Sequence, residues 1–441
     1  MKTIIICTTS YHPFLGGAEV AVEEIAKRLS GEFRFFIVTA RQDRKLLRRE
    51  RRREGVVLRI GAGGRFDKWI LAFLGGFIIF WKLKFGEWKE FYKKKEILFF
   101  GVDISQGALA VTLASFLLPR VPFVLNLQYG YGDERIAKGR GGAIKWAFKG
   151  MLARADFVTA ISTYLLGIAR EHPYHYRDSA EIIPNGVDIE KFAPKEEKKS
   201  DIRRTIITVS RLVHKNGIDT LIDAIDLLVN EQKISDIRCH ILGDGPEREN
   251  LEKQVAKKKL QSQVFFFGSI PNNEVSRYLH DADVFVRASR SEGMGNVFVE
   301  ALAAGLPIIG TPVGGIFDII KDGETGLFVN ADNADDLAEK ITTLLSNHEL
   351  ARSIAKNGNA MVRERFLWSS IAEKYKNIFE IVFSAPRIVI ATPLFPPDIG
   401  GPVTYVYTLR EDLWKQKILP KIAYFGDVRH FLKAARHLIY F

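Results

Sequence analysis

The sequence predicts an α/β protein with two doubly wound domains, each built on a parallel sheet. Its 441 residues leave room for two or three domains, and 47% hydrophobic with 26% charged residues is a globular composition. Short apolar runs alternate with segments of helical period, which is the pattern of strands joined by crossover helices. Glycine-rich turns follow several of these runs, as they do where parallel strands end at a ligand site.

The first domain begins with a strand, a glycine loop and a helix. The apolar run at residues 3–7 leads to Gly16-Gly17, after which Val20 and Ile25 mark the apolar face of a helix. The glycine pair is typical either of a tight turn or of a backbone that approaches a ligand phosphate.

Further strands of this domain are expected at residues 35–39, 103–105, 123–127 and 157–162. Gln128 and Tyr129 open a polar, glycine-rich loop at the end of the third of these, which is a candidate acceptor or catalytic loop. A Pro-Asn-Gly turn at residues 184–186 closes the domain. We assign residues 1–193 to it and the charged, aperiodic residues 194–203 to a linker.

A basic and aromatic segment lies within the first domain. Residues 41–53 carry eight arginines and lysines, and residues 69–81 are apolar between Lys68 and Lys82. Thirteen apolar residues are too few to cross a bilayer as a helix, since about 20 are needed. The alternation predicts either a helix on an anionic membrane surface or a buried core helix.

The second domain, residues 204–366, repeats the alternation of strands and helices. Its strands are expected at residues 205–209, 239–242, 264–267, 284–286, 306–309 and 326–329. Three of them end in glycine-containing loops, at residues 210–217, 243–247 and 268–269. A last helix, residues 367–384, is expected to return toward the first domain.

Two carboxylates mark the expected binding site. Glu292 lies on the loop after the strand at residues 284–286, and Glu300 lies on the helix that follows. Between them, residues 293–297 open the helix with two glycines, so that backbone amides can approach an anion. Carboxylates accept hydrogen bonds from hydroxyl groups. The combination predicts a sugar joined to a nucleotide diphosphate as the ligand.

The chain ends by repeating its own opening. Residues 387–402 contain a strand, prolines and the pair Gly400-Gly401, in the order found at residues 3–19. A single strand–helix–strand unit cannot cover both faces of its sheet. We therefore interpret residues 386–441 as a truncated start of a second copy.

Charge and cysteine content restrict the partners and the compartment. The net charge of +12 favours anionic ligands, but no nucleic-acid recognition motif accompanies it, so no nucleic acid is expected. Cys7 and Cys239 can build neither a disulfide framework nor a zinc site. We expect a cytoplasmic protein, peripheral on the inner face of the cell membrane. The acidic residues 281 and 283 directly precede a buried strand, so no metal and no cofactor is expected.

Four motifs, in their order and spacing, resemble the family-four group of retaining glycosyltransferases with the GT-B fold. They are Pro184-Asn185-Gly186-Val187-Asp188, Ser210-Arg211-Leu212, Gly243-Asp244-Gly245-Pro246 and Glu292…Glu300. The resemblance covers roughly residues 1–384. It implies two Rossmann-like domains facing a cleft, followed by a partial Rossmann-like unit. It also implies a hexosyltransferase that moves a sugar from a UDP- or GDP-linked donor to a glycan or lipid-linked acceptor, without a metal.

The same resemblance implies roles for individual residues. Glu292 contacts the donor sugar, and Arg211 and Lys215 neutralise the leaving diphosphate; these three are the catalytic candidates. Glu300 accepts from the ribose hydroxyls, although a place in the first turn of its helix would also suit the helix dipole. The remaining donor-binding candidates are Gly16, Gly17, Gly243, Gly245, Gly268, Gly293, Met294, Gly295, Asn296 and Val297. The acceptor-side candidates are Gln128, Tyr129 and Asn185.

Two positions depart from the family pattern. Asn216 stands where the family has a lysine, directly before a glycine, and Lys215 precedes it. Gln128 stands where many members have a histidine, and a glutamine cannot take a proton at neutral pH. The second departure leaves an alternative open, in which the chain is a weakly active accessory subunit that binds the donor.

Overall fold

A computed structural model describes residues 1–128, 139, 141–171, 179–194, 204–234, 236–385, 387–392 and 419–424, with scattered positions between 405 and 416. The chain divides into two compact units. The described residues before Pro184 and those after Ile371 form the first unit, and Pro184–Ile371 form the second. Of the expected linker, residues 195–203 lie outside the described residues.

Eight strands of the first unit form one sheet. They are β1 Thr3–Cys7, β2 Arg34–Ala40, β3 Arg49–Arg51, β4 Val56–Ile60, β5 Ile97–Val102, β6 Phe123–Leu127, β7 Phe157–Ala160 and β8 Ala180–Ile182. Their order is β3-β4-β2-β1-β5-β6-β7-β8, and all neighbours are parallel except β3 and β4. All residues of β1, β5 and β6 are buried, as expected for central strands covered on both faces.

Six helices lie within the described residues that precede the second unit. They are α1 Gly17–Leu29, α2 Asp67–Lys84, α3 Lys89–Lys93, α4 Gln106–Leu117, α5 Ala143–Arg154 and α6 Thr163–Arg170. Helix α2 packs closely on α4, since a Cβ atom added at Gly76 would lie 2.6 Å from the carbonyl oxygen of Ala110. None of the described helices is both long and apolar enough to cross a membrane.

The expected strand at residues 103–105 is wrong. Strand β5 ends at Val102, and Asp103 takes a left-handed backbone conformation with φ of +64°. The Oγ atom of Ser105 then accepts from the backbone N–H of Ala108 at 3.1 Å and caps helix α4. Residues 103–105 are therefore the turn that joins β5 to α4.

Six parallel strands of the second unit form the second sheet. They are β9 Arg204–Val209, β10 Ile237–Leu242, β11 Val264–Gly268, β12 Val284–Arg287, β13 Ile308–Gly310 and β14 Leu327–Phe328. The order is β11-β10-β9-β12-β13-β14. The chain runs outward from β9 to β11 and then returns to the other side of β9 with β12. A topological switch point therefore lies between β9 and β12, where ligands bind in open α/β sheets.

The helices of the second unit cover this sheet. They are α7 Ile189–Phe192, α8 Ile218–Asp226, α9 Arg248–Lys257, α10 Asn272–His280, α11 Asn296–Ala303, α12 Ala334–Ser346 and α13 His348–Arg365. A core of buried aliphatic side chains, such as Ile206, Leu221 and Ile341, lies between helices and sheet. The structure thus confirms the predicted α/β fold with parallel sheets.

Helix α14, Trp368–Ser384, leads the chain back into the first unit. There the Tyr375 hydroxyl accepts from the Asn126 side chain at 2.8 Å, and the ring of Phe379 packs edge-on against those of Phe33 and Phe100. Beyond it, β15 Arg387–Thr392 pairs in parallel with β16 Leu419–Tyr424. Most of residues 393–418 and all of 425–441 lie outside the described residues, so the truncated second copy stays a prediction.

Candidate functional site

The loops after β9, β10 and β11 are joined by backbone hydrogen bonds at one edge of the second sheet. The N–H of Leu212 donates to the carbonyl oxygen of Asp244 at 3.0 Å. The N–H of Gly243 donates to the carbonyl oxygen of Gly268 at 2.8 Å. The loop of Arg211 and the glycine turns at 243–245 and 268 therefore form one continuous surface.

Across the switch point, the loop after β9 is tied to the loop after β12. The N–H of Arg290 donates to the carbonyl oxygen of Lys215 at 2.7 Å. The Arg290 guanidinium also holds both carboxylate oxygens of Asp219, at 2.9 and 2.7 Å. Such a two-point contact fixes orientation as well as distance. The turn that carries Lys215 is thus held against the loop that carries Glu292.

Glu292 is also anchored by the loop after β13. Its carbonyl oxygen accepts from the N–H of Gly315 at 3.2 Å. Gly314 has φ of +54°, and a Cβ atom added there would lie 1.9 Å from the same carbonyl oxygen. Only glycine allows this approach. The backbone of Gly314 and Gly315 therefore lies beside the Glu292 loop.

Helix α11 begins one turn before Glu300. Gly295, with φ of +82°, is the N-cap residue, and Asn296 is the first helical residue. Our expectation that Glu300 lies in the first turn is wrong, because Asn296 is the first helical residue and Glu300 is the fifth. An interaction with the helix dipole, which falls off within the first turn, is therefore a weak explanation for Glu300.

The Glu292 carboxylate is held by Arg287, the last residue of β12. One oxygen, Oε2, lies 2.5 Å from Nη2 of Arg287, and the other accepts from the N–H of Gly293 at 3.1 Å. Nη2 of Arg287 also donates to Oδ1 of Asn216 at 3.1 Å. Both side chains of the ion pair are largely buried, with 11% and 12% exposure.

Asn216 links the loop of Arg211 to the guanidinium that holds the Glu292 carboxylate. Its Nδ2 donates to the carbonyl oxygen of Arg211 at 2.6 Å, and the residue is buried. The position at which the family has a lysine is therefore neutral and faces a guanidinium. Arg287 was not predicted as a site residue. Its only signal in the sequence is that it is a charged residue at the end of an apolar strand.

The two expected phosphate cations lie on the loop after β9. The exposed Arg211 guanidinium forms no ion pair or side-chain hydrogen bond with any residue that the structure describes. Lys215 is partly buried in the short 3-10 turn His214–Asn216. The Arg211 side chain is therefore available to a ligand.

Burial raises the pKa of Glu300 to about 7, and the charge of Lys191 on α7 opposes this shift only in part. Among the described residues, no side chain donates a hydrogen bond to the Glu300 carboxylate. The desolvated charge explains the high pKa. The group therefore suits a ligand that brings its own hydroxyl donors.

The other donor-side residues lie on the same edge. Gly293 and Met294 are buried, Asn296 and Val297 open α11, and Gly245 approaches the carbonyl oxygen of Leu212. Their assignment to donor binding stays a prediction.

Three of the remaining site residues, Gln128, Gly16 and Gly17, lie in the described part of the first unit. Gln128 follows β6 and is buried, and its Nε2 donates to Oδ1 of Asn126 at 2.8 Å. Gly16 caps α1, and its N–H donates to the Glu19 carboxylate at 2.9 Å; Gly17 is the first residue of that helix. Tyr129 lies outside the described residues. Asn185, expected on the acceptor side, lies in the second unit, where its Nδ2 donates to Oδ1 of Asn296 at 3.3 Å.

Neither Asp283 nor the cluster around Glu54 is well suited to hold a metal ion. Asp283 accepts from the N–H of Thr205 at 2.8 Å, which anchors the start of β9. Within the described part of the chain, the one cluster with ligand spacing is His12, Glu23 and Glu54. An oxygen of Glu54 already accepts from Tyr11 and from Arg52, both at 2.8 Å. The cation beside it makes this cluster a poor metal site.

Comparisons with known proteins agree with this arrangement. Residues 15–191 match the family described as glycosyltransferase family 4, and residues 189–361 match glycosyl transferases group 1. An uncharacterized glycosyltransferase of Methanocaldococcus jannaschii is 26% identical over 383 residues, which are 85% of this chain and 97% of that protein. The alpha-monoglucosyldiacylglycerol synthase of Streptococcus pneumoniae is 26% identical over 338 residues, 68% of this chain and 75% of the synthase.

A solved structure supports the fold. The HepE protein of Anabaena, in complex with UDP and glucose, superimposes with a TM-score of 0.69 at 20% identity and covers 86% of this chain and 99% of HepE. The two family matches overlap at residues 189–191 and together cover residues 15–361. The chain therefore belongs to the group 1 glycosyltransferases and is a nucleotide-sugar-dependent glycosyltransferase of the GT-B fold.

Proposed function

We propose that the chain transfers a sugar, with retention of configuration and without a metal, from a UDP- or GDP-linked donor to a lipid-linked acceptor. The observation that carries this proposal is the band of loops at the switch point of the second sheet. Hydrogen bonds between these loops hold the Arg211 guanidinium, which has no ion-pair partner among the described residues, on the same edge of the sheet as the Glu292 loop. The carboxylate of Glu300 lies on the helix that follows that loop. An anion and several hydroxyl groups on one ligand match these partners.

The reaction breaks the bond between the sugar's anomeric carbon and the diphosphate and forms a bond from that carbon to an acceptor hydroxyl oxygen. The leaving diphosphate oxygen takes the acceptor's proton, so that no histidine is needed at position 128. Arg211 and Lys215 stabilise the negative charge that grows on the diphosphate, which is the largest single contribution in many enzymes. Glu292 holds the sugar hydroxyls, and Glu300 holds the ribose.

A screen of nucleotide sugars tests this proposal. We expect either UDP-sugars or GDP-sugars to raise the melting temperature and ADP-sugars to leave it unchanged, because a ligand that binds only the folded state stabilises it. The stabilising donor should then be consumed when an acceptor lipid is added. Binding without turnover on any acceptor mixture would instead favour the accessory subunit suggested by Gln128. No stabilisation by any of the three classes would contradict the proposal.

Donor affinity should depend on the ionisation of Glu300. Its pKa of about 7 means that the carboxyl group is half protonated near neutrality in the free protein. The ionised form accepts from two hydroxyls, whereas the protonated form uses one oxygen as a donor. We therefore expect the affinity for the donor nucleotide to rise between about pH 6 and pH 8. Calorimetric titration measures this change.

The control for this prediction is Glu300→Gln, which keeps the shape and removes the titration. The variant should bind the nucleotide more weakly at pH 8 and with a nearly constant affinity across the range. An unchanged pH dependence in Glu300→Gln would show that another group titrates.

The lipid-linked acceptor is supported by helix α2. Trp69, Phe73, Phe77, Trp81 and Phe85 follow one another at intervals of four residues and are 37%, 64%, 60%, 54% and 67% exposed. The opposite face of the helix is buried against α4. Residues spaced by four share one helix face, so these rings form one exposed aromatic stripe. Of the two sequence interpretations, the stripe supports the membrane-surface helix.

Basic residues flank the aromatic stripe. Arg65 and Lys68 lie at the start of α2, and exposed lysines at 89, 93, 94 and 95 lie on and beside α3. Aromatic rings beside basic residues match the interface of an anionic lipid bilayer. The Streptococcus pneumoniae relative is named for a diacylglycerol product, which supports a lipid acceptor for this chain.

We expect the chain to sediment with vesicles of phosphatidylglycerol and phosphatidylcholine, and to remain unbound with phosphatidylcholine alone. Replacing Phe73 and Phe77 together by serine should weaken binding by more than about tenfold, since each ring contributes roughly 1.5–3 kcal/mol when buried. Phe265→Ser, at a 37% exposed ring of the second unit, is the matched control. Equal binding by the two variants would contradict the membrane contact.

A further inference from the structure

A buried arginine with an unused donor group lies at the switch point. Nε of Arg287 donates to Oγ of Ser289 at 3.1 Å, and Nη2 contacts both Asn216 and Glu292. Nη1 of Arg287 makes no hydrogen bond or ion pair with the described residues. Nor is this atom fully buried. Solvent therefore reaches Nη1, while the rest of the guanidinium is fixed.

The guanidinium lies against the position at which the family pattern has a lysine. Asn216 is buried, with 2% exposure, and its side chain joins Arg287 to the backbone of Arg211. The side chain at 216 is neutral, and the guanidinium of Arg287 is 3.1 Å from it. The positive charge missing from the turn before Gly217 is thus present at the same place, carried by strand β12.

We propose that Arg287 is a donor-binding residue whose guanidinium contacts the donor diphosphate in place of a lysine at position 216. This inference rests on the proposed function and names a further residue of the same site. Nη1 faces the ligand, and Nη2 stays on the Glu292 carboxylate. One guanidinium then fixes the diphosphate relative to the carboxylate that holds the sugar.

The geometry favours this role over a purely structural one. A structural ion pair needs only Nη2 and Nε, which already hold Glu292, Asn216 and Ser289. Arginine presents a planar fork of donors that suits a phosphate, and its charge persists at all accessible pH values. A methionine or leucine at the end of an apolar strand would pack without leaving a charge that needs partners.

The test compares UDP with UMP, or GDP with GMP if the screen selects guanine, in the full chain. A charge-assisted hydrogen bond is worth about ten- to a hundredfold in affinity. Arg287→Gln should therefore reduce the preference for the diphosphate over the monophosphate by about ten- to a hundredfold. If Arg287 is only structural, the substitution should weaken the binding of both nucleotides equally. An unchanged preference for the diphosphate would therefore overturn the proposal.

Rescue by the missing lysine sharpens the test. In the double variant Arg287→Gln with Asn216→Lys, the diphosphate preference should return to within about threefold of the wild type. If both proteins fold and the preference stays lost, the proposal is overturned. Arg277→Gln removes the same charge from the exposed face of α10 and should change nothing.

A further variant covers the case in which Arg287→Gln does not fold. Arg287→Lys keeps the charge but loses the planar fork, so it should still prefer the diphosphate, although less strongly than the wild type does. A folded Arg287→Lys that no longer distinguishes UDP from UMP would overturn the proposal. If the wild type itself binds no nucleoside diphosphate, the proposed function fails, whereas an unaltered preference in Arg287→Gln removes this inference alone.

Discussion

Replacing Glu292 by alanine should reduce the rate of sugar transfer by on the order of 10²–10³, the cost of removing one preorganised partner of the transition state. Glu292 is held by Arg287, by the N–H of Gly293 and by the backbone of Gly315, so its carboxylate is fixed before the donor binds. Steady-state assays with the donor identified by the screen measure this loss.

The loss should appear in transfer and not in nucleotide binding. In the proposed function the nucleotide lies against the Arg211 loop and Glu300, so Glu292→Ala should bind the free nucleoside diphosphate within about threefold of the wild type. Glu292→Gln keeps the size of the side chain and should transfer almost as poorly, because its amide has one acceptor oxygen where the carboxylate has two. Glu324→Ala, at an exposed carboxylate of the same unit, is the control. Full transfer activity in Glu292→Ala would refute the site assignment.

Replacing Arg211 by alanine should reduce the rate by a similar 10²–10³, on the order expected for a lost charge at a leaving group. The stability of the folded protein should not change in Arg211→Ala. Because the Arg211 guanidinium forms no ion pair with any described residue, its removal should change the free energy of unfolding by less than about 0.5 kcal/mol. Thermal unfolding and transfer kinetics on one preparation separate the two effects.

Arg211→Lys distinguishes charge from geometry. A lysine keeps the charge and loses the two-point contact with a phosphate, so we expect an intermediate rate. Arg277→Ala, at an exposed arginine of α10, is the matched control and should transfer at the wild-type rate. Loss of stability in Arg211→Ala without loss of rate would show that Arg211 has a structural role.

Two central strands were predicted because each carries an uninterrupted apolar run. Residues 3–7 and 123–127 are apolar runs, and the structure places β1 and β6 there. Strand β4, Val56–Ile60, was not predicted, because Arg59 interrupts its apolar run. That arginine is 5% exposed, and its Nη2 contacts the Glu50 carboxylate at 2.7 Å and the carbonyl oxygen of His12 at 2.9 Å. Such compensation depends on tertiary contacts that no local pattern contains.

The candidate site was predictable to the same extent. Glu292, Glu300 and Arg211 could be named as candidates because each stands next to a strand end or a glycine turn. The bridge from Glu292 through Arg287 to Asn216 was missed, because Arg287 and Asn216 are 71 residues apart in the sequence and meet only at the switch point. The place of Glu300 in α11 was wrong, since the sequence pattern does not show that Asn296 is the first helical residue.

A crystal structure of the chain with its nucleoside diphosphate tests the central claim most directly. We expect the diphosphate to contact the Arg211 guanidinium and the N–H of Gly314, and the ribose hydroxyls to lie on Glu300. A nucleotide bound away from the loops that follow β9, β12 and β13 would contradict the account.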